Sequence, residues 1–350
     1  MGGVFRRLDR RTDQIRQAYR RWIGKEERPL TIEPFRGFTN GTEAFFQGRI
    51  LEYKPLFDQW KSGWHRNLVN SFRRFASEEV PGAIVEVQFG PNQIPLVTDE
   101  EGYFILDAKL PEPLPENGKG WLDARVSLKK VPGRKLQAIQ RTGQLFLPRK
   151  EDGLGLISDI DDTLLHTGVT SPMKWRVFYL TFLMSISGRK PVNASGQFYR
   201  RWHRSLNPHR PVFYVSNSPW NLYDLLRDFL RFNGFPKGPI LLRDVGLPYQ
   251  AYPDLFPNHK EYTISRILSL YPNMRFILVG DSGEKDAMIY LKMAKYFPGQ
   301  IAAILIRKVS TGKRSGRIQR LFDATNDKIP TLLFSNYEEV LPFLASHQLS

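Results

Sequence analysis

Carboxylates crowd the end of one short apolar run, Leu154-Gly155-Leu156-Ile157-Ser158-Asp159-Ile160-Asp161-Asp162-Thr163. Asp159 and Asp161 stand two residues apart, so on a regular strand they share a face. Like charges that close repel unless a cation or a shared proton intervenes, and a divalent metal is the natural partner. A short apolar run reads as a buried strand, and ligands sit at the carboxyl ends of parallel strands. The same ten residues also read as an Asp-rich turn capping the helix that follows.

Three later stretches carry complementary groups. Phe213-Tyr214-Val215-Ser216-Asn217-Ser218 ends in a hydroxyl, His259-Lys260 sets a cation before a helical segment, and Phe276-Ile277-Leu278-Val279-Gly280-Asp281-Ser282-Gly283-Glu284-Lys285-Asp286 ends in paired acids. Singly, the serine reads as a helix cap, the lysine as a solvated charge and Gly-Asp-Ser-Gly as a turn. In this order behind the first acid cluster, mostly at the ends of apolar strands, they read as parts of a phosphate site.

The elements that must position them alternate strand and helix beyond Pro148. Apolar strands are expected at Val212 to Val215, Ile240 to Leu242, Phe276 to Val279 and Ile301 to Ile306, and helices at Leu222 to Phe232, Tyr262 to Leu270 and Ala287 to Tyr296. That alternation predicts an α/β fold with a doubly wound parallel sheet. A long insertion before Val212, holding Trp175 to Ile186 and Phe198 to Trp202, is expected to lie over the carboxyl edge as a cap.

The first half has a different texture. Short β-prone runs at Thr31 to Phe38, Phe45 to Leu51, Ala83 to Phe89, Tyr103 to Leu106, Trp121 to Leu128 and Leu145 to Leu147 suggest an antiparallel β-sandwich, interrupted by one helix over roughly Leu56 to Ala76. No catalytic residue types cluster in it, so it reads as a packing or targeting module. Val4, Leu8, Ile15, Tyr19 and Trp22 recur at helical spacing among arginines, which predicts a basic amphipathic helix that either lies on an anionic bilayer or packs on the protein. The expected organisation is residues 1–28 helix, 29–148 sandwich and 149–350 catalytic domain.

With 350 residues the chain can hold two cores of ordinary size. The absence of cysteine excludes disulfides, thiolate metal sites and cysteine nucleophiles, and leaves hard metals with oxygen ligands. A formal net charge of +16 favours partners bearing phosphate. The sequence contains no apolar run long enough to span a bilayer, Met1 to Gly24 lacks the apolar core of a secretory signal, and Arg6 stands where a myristoylation motif wants Ser or Thr. A cytoplasmic protein is therefore expected, soluble or peripherally bound to membrane.

The order Asp-x-Asp-x-Thr, strand-Ser, Lys, Gly-Asp-x-x-x-x-Asp resembles the four motifs of the haloacid dehalogenase superfamily of phosphohydrolases. The fuller wording of Ser158 to Thr163 with His166-Thr167-Gly168, of Tyr214 to Trp220 and of Phe276 to Glu284 is similar to one branch, the catalytic-domain family of the actin-patch phosphatidate phosphatase, related to the lipins. The resemblance covers about Gly155 to Ser310. It implies a haloacid dehalogenase-like fold and a Mg²⁺-dependent phosphatidate phosphatase that forms diacylglycerol. It also implies Asp159 as nucleophile and Asp161 as general acid and then base. Mg²⁺ would be held by Asp159, the Asp161 carbonyl, Asp281 and Asp286, and the phosphate oxygens by Ser216, Asn217 and Lys260. The partners implied are a phosphorylated lipid and an anionic membrane surface. Two alternatives stay open: the same mechanism on a nucleic-acid end or soluble metabolite, although the chain has no recognisable nucleic-acid module, and a module that binds phosphatidate without turning it over.

Overall fold

A computed structural model describes residues 29–52, 79–115, 120–135, 138–148, 153–160, 194–205, 210–243, 254–283, 285–309, 313–324 and 329–349. The expected helices over residues 1–28 and 56–76, Trp175 to Ile186 and Asp161 lie outside them.

The β-prone runs of the first half become β1 (Leu30–Pro34), β2 (Arg36–Thr39), β3 (Glu43–Glu52), β4 (Ile84–Phe89), β5 (Asn92–Val97), β6 (Tyr103–Lys109), β7 (Trp121–Lys130) and β8 (Gln140–Phe146). They form one eight-stranded sheet in the order β1-β3-β2-β8-β7-β4-β5, with β6 paired to β3. Its strand pairs are antiparallel except for β2 and β8, which run parallel. Inward residues such as Phe46, Ile50, Val85, Val87, Phe104 and Val126 form its core. The expected single strand from Thr31 to Phe38 breaks at Phe35, between β1 and β2. Pro34 has no amide hydrogen to continue the ladder, and Phe35 packs on the other half of the protein. Pro95 disguised β5, which tolerates it because β5 ends the sheet.

The second half runs β9 (Leu154–Asp159), α1 (Ser195–Ser205), β10 (Val212–Pro219), α2 (Tyr223–Phe232), β11 (Ile240–Arg243), α3 (His259–Leu270), β12 (Arg275–Asp281), α4 (Asp286–Tyr296), β13 (Ile301–Arg307), α5 (Lys313–Asp323), β14 (Thr331–Phe334) and α6 (Val340–Ser346). The strands form an all-parallel sheet in the order β11-β10-β9-β12-β13-β14. Continuous apolar runs suit strands buried on both faces, and every residue of β13 is buried. On one face Leu156, Tyr214, Ile277 and Val279 pack with residues of α1, α2 and α6, and on the other Ile157, Phe213, Leu278 and Ile304 pack with α3, α4 and α5. The chain leaves β9 toward β10 and β11, then returns to β12 on the other side. Strand order thus reverses between β9 and β12, and a doubly wound sheet opens its crevice at that point.

Phe198, Tyr199 and Trp202 were expected in a cap over this edge. They lie instead on α1, almost wholly buried against the sheet beside Leu156 and Tyr214. An amphipathic helix that follows an insertion has no local mark separating cap from core, so its partner face decides.

The two halves meet over an aromatic contact and a charged one. Phe38 meets Phe213 edge-on at 5.5 Å, and Lys237 Nζ sits 4.0 Å from the centre of the Trp121 ring. Arg266 of α3 pairs with Asp107 Oδ1 at 2.6 Å and Glu43 Oε2 at 3.1 Å. The Asn40 amide donates to the Leu270 carbonyl at 3.1 Å.

Candidate active site

The crevice between β9 and β12 collects acids from three elements. Asp159 ends β9, Asp281 ends β12, and Asp286 opens α4, where the helix dipole favours a carboxylate. All three are buried, and one carboxylate oxygen of each lies within 4.8 Å of the others. Register places them: Val279 pairs with Ser158, so Gly280 is level with Asp159 and Asp281 one residue farther out.

Lys260 enters from α3. The Asn258 side chain accepts the Glu261 amide and starts that helix one residue before the lysine, which turns Lys260 into the crevice. Its Nζ lies 2.8 Å from Asp159 Oδ1 and 2.6 Å from Asp286 Oδ1. The lysine is 1% exposed. Burying it is tolerable because it bridges two carboxylates, since an unpaired buried ammonium would be strongly disfavoured.

Space around the acids is kept by glycine. A Cβ on Gly280 would run into the Asp286 carboxylate, and one on Gly283 would lie 2.8 Å from Asp281 Oδ1. The Gly283 amide donates to Asp281 Oδ1, and the Asp281 amide donates to Asp286 Oδ2 at 3.2 Å. Among these four side chains one ammonium faces three acids. A convergent set of carboxylate oxygens fits a hard divalent cation, whose charge would offset theirs.

Ser216 and Asn217 come from the neighbouring strand. Val215 is level with Asp159, so Ser216 lies one residue farther out on β10. Its buried hydroxyl accepts the Ser218 amide at 2.8 Å, where the register of β10 against β11 shifts between Ser216 and Pro219. The structure thus brings together Asp159, Asp281, Asp286 and Lys260, with Ser216 and Asn217 on the adjacent strand.

Two features escaped the sequence reading. Ser158 donates to the Asp159 carbonyl at 2.7 Å and lies 2.5 Å from the Tyr199 hydroxyl, bracing the strand end from α1. Burial pushes the Tyr199 pKa well above the ordinary phenol value, far from ionisation. A serine inside an otherwise apolar strand was the available signal. His259, beside Lys260, is buried and its pKa is pushed down to about 4, chiefly by desolvation and further by the charges of Arg243 and Lys260.

Residues 154–308 match the family described as phosphatidate phosphatase APP1, catalytic domain. The phosphatidate phosphatase APP1 of Saccharomyces cerevisiae is 40% identical over 158 residues, which is 44% of this chain and 26% of that protein. An uncharacterized protein of Schizosaccharomyces pombe is 31% identical over 216 residues, 61% of this chain and 34% of that protein. The chain therefore spans about a quarter to a third of the length of these curated relatives. A Bifidobacterium dentium β-glucuronidase structure aligns with 87% of this chain and 60% of its own at 10% identity and a TM-score of 0.23, a likeness too low to carry an argument. The matched residues 154–308 hold the three acids, Lys260 and Ser216, so the part of the chain similar to the phosphatidate phosphatase APP1 catalytic-domain family is the part that builds this site.

Proposed function

We propose that this protein is a Mg²⁺-dependent phosphatidate phosphatase with a haloacid dehalogenase-like catalytic domain, converting phosphatidate to diacylglycerol and phosphate. The observation that carries the reading is the Lys260 ammonium held between Asp159 and Asp286 at the switch point of the parallel sheet, within a family described as phosphatidate phosphatase.

Asp159 attacks phosphorus, and the bond from phosphorus to the glycerol oxygen breaks. The departing alkoxide takes a proton from Asp161, two residues on. Asp161 then removes a proton from water, which attacks the aspartyl-phosphate; phosphate leaves and Asp159 is regenerated. One hard displacement becomes two easier ones. Lys260 and the hydroxyl and amide of Ser216 and Asn217 hold the non-bridging oxygens, where preorganised donors stabilise charge as it develops. Asp159, Asp281 and Asp286, with the Asp161 carbonyl, would hold Mg²⁺, which supplies charge neutralisation and polarises a phosphoryl oxygen.

The partners that fit are a phosphorylated lipid and the anionic bilayer containing it. Arg317 and Arg320 are exposed on α5, and the sequence carries a net charge of +16. No helix among the described residues is long and apolar enough to cross a membrane.

The test is phosphate release from phosphatidate in mixed micelles, from soluble phosphomonoesters and from phosphorylated oligonucleotides, with wild type and Asp159→Asn. Phosphatidate turnover that Asp159→Asn abolishes supports the reading. Substantial turnover by the variant removes Asp159 as nucleophile. Activity confined to a soluble ester or an oligonucleotide replaces the substrate, and binding of phosphatidate without release by wild type leaves a recognition module. Asp161→Asn should harm alkyl phosphates more than p-nitrophenyl phosphate, whose leaving group needs little protonation; equal losses argue against Asp161 as the acid.

A further inference from the structure

Arg243 closes β11 on the same edge as the acid cluster. Leu241 pairs with Val215, and Val215 pairs with Asp159, so these three residues stand level across the sheet. Arg243 is two residues farther out, about 6.6 Å along the strand direction, and two strands, about 10 Å, to the side. Alternation puts Arg243 on the face of Leu241, which packs in one core with Ile264 and Ile267 of α3. Asp159 shares that face through Ile157 and reaches Lys260 of the same helix.

Two other half-buried arginines are paired with acids: Arg266 with Glu43 and Asp107, and Arg227 with Asp224 and Asp228. Among the described residues no acid pairs with Arg243, and its Nε is buried without a hydrogen-bond acceptor. Desolvating part of a guanidinium is costly unless a ligand supplies what the protein withholds. A guanidinium donates only, so the ligand must offer an acceptor oxygen.

In-line transfer sets the leaving oxygen on the side of phosphorus opposite Asp159, hence farther out along the strand direction. Arg243 stands at the level of the leaving alcohol and beyond the transferred phosphoryl group. The leaving group of phosphatidate carries no further charge, and its best acceptors are its acyl-ester carbonyls. We propose that Arg243 donates to an acyl-ester carbonyl of the glycerolipid next to the phosphate, and so determines specificity for esterified phosphatidate. The inference rests on the phosphatidate reading and names the part of the substrate that this arginine recognises.

Wild type, Arg243→Ala and Arg243→Gln are compared on diacyl phosphatidate, on its dialkyl-ether analogue, which lacks the carbonyls, and on p-nitrophenyl phosphate. The expected result is a wild-type preference of roughly tenfold or more in kcat/KM for diacyl over dialkyl substrate, the size of a hydrogen bond to a charged group. Both variants should bring that ratio close to one and lose about tenfold more on diacyl phosphatidate than on p-nitrophenyl phosphate. A wild-type ratio near one overturns the proposal without any variant. So does a ratio that survives both substitutions, or an equal proportional loss on all three substrates, which would mean that Arg243 holds the phosphoryl group or the fold. Turnover of p-nitrophenyl phosphate but of neither lipid by wild type removes the phosphatidate reading itself.

Discussion

Phe35 lies stacked on Trp220, with ring centroids 4.7 Å apart and planes 10° from parallel. Phe35 links β1 to β2, and Trp220 follows the β10 residues Ser216 and Asn217, so the contact joins the first half of the protein to the turn beside the acid cluster. Tyr223 adds a second ring 4.3 Å from Phe35, and the Arg36 amide donates to the Tyr223 hydroxyl at 2.7 Å. Arg266, on the helix that carries Lys260, is held by Glu43 and Asp107 of the same N-terminal sheet. Both elements proposed to hold phosphoryl oxygens are thus gripped by strands that contribute no catalytic group.

Phe35→Ala should therefore do more than destabilise. Removing a buried phenyl ring costs about 3–5 kcal/mol, read as a lowered unfolding midpoint. The loosened strand end at Ser216 should also raise KM severalfold at temperatures well below unfolding. Val126→Ala truncates the N-terminal core away from this contact and should lower stability with little change in KM. Equal KM values for the two variants would reduce the Phe35 contact to ordinary packing.

Lys260→Met tests the bridge. Deleting the ammonium leaves Asp159 and Asp286 facing each other in a buried site, and breaking a buried ion pair costs about 3–5 kcal/mol. The unfolding midpoint should fall, and Mg²⁺ should restore more of it than the cation adds to wild type, because it replaces the missing charge. Turnover should be lost. A variant with unchanged rate and midpoint would place the functional cation elsewhere.

How far the chain could be read without coordinates follows from where each signal resides. β9, β12 and β13 were legible because strands buried on both faces are continuous apolar runs, and the acids at their ends were legible with them. The sequence pattern starts the helix at Tyr262 and sets Lys260 ahead of it. The Asn258 cap begins that helix at His259, and the bridge to two carboxylates depends on packing that no local pattern records. Phe35, the α1 aromatics and β14 were misread or missed for the same reason. A one-residue break, an amphipathic face and a four-residue edge strand take their meaning from what lies against them.

Metal binding should register in stability as well as in rate. Three buried carboxylates grouped within 4.8 Å favour a cation in the folded state, and a ligand at a hundred times its Kd adds about 2.7 kcal/mol. Mg²⁺ should raise the unfolding midpoint of wild type, EDTA should reverse the rise and abolish phosphatase activity, and Asp281→Asn should blunt the stabilisation. A midpoint indifferent to Mg²⁺, together with full rate in excess EDTA, would sink the metal assignment.

His259 predicts the direction of acid sensitivity. Its folded pKa of about 4 lies below the unfolded value near 6.5, because burial penalises the imidazolium and Arg243 and Lys260 repel it, against a smaller opposing pull from the Leu241 carbonyl. The unfolded chain therefore binds the proton first as pH falls, and stability declines through the window from about 6.5 to 4. By pH 4.5 the loss from this residue is on the order of 2–3 kcal/mol, fully absent above pH 7. Urea midpoints at pH 7 and pH 4.5 should differ less for His259→Gln than for wild type, since glutamine removes the titrating group while keeping a polar side chain near the Thr263 hydroxyl that His259 Nδ1 meets at 3.3 Å. The acids around Lys260 are common to both proteins, so the comparison isolates His259. An identical pH dependence in the two would mean that His259 takes up its proton in the folded state as readily as in the unfolded chain, and that Arg243 and Lys260 exert no repulsion on it.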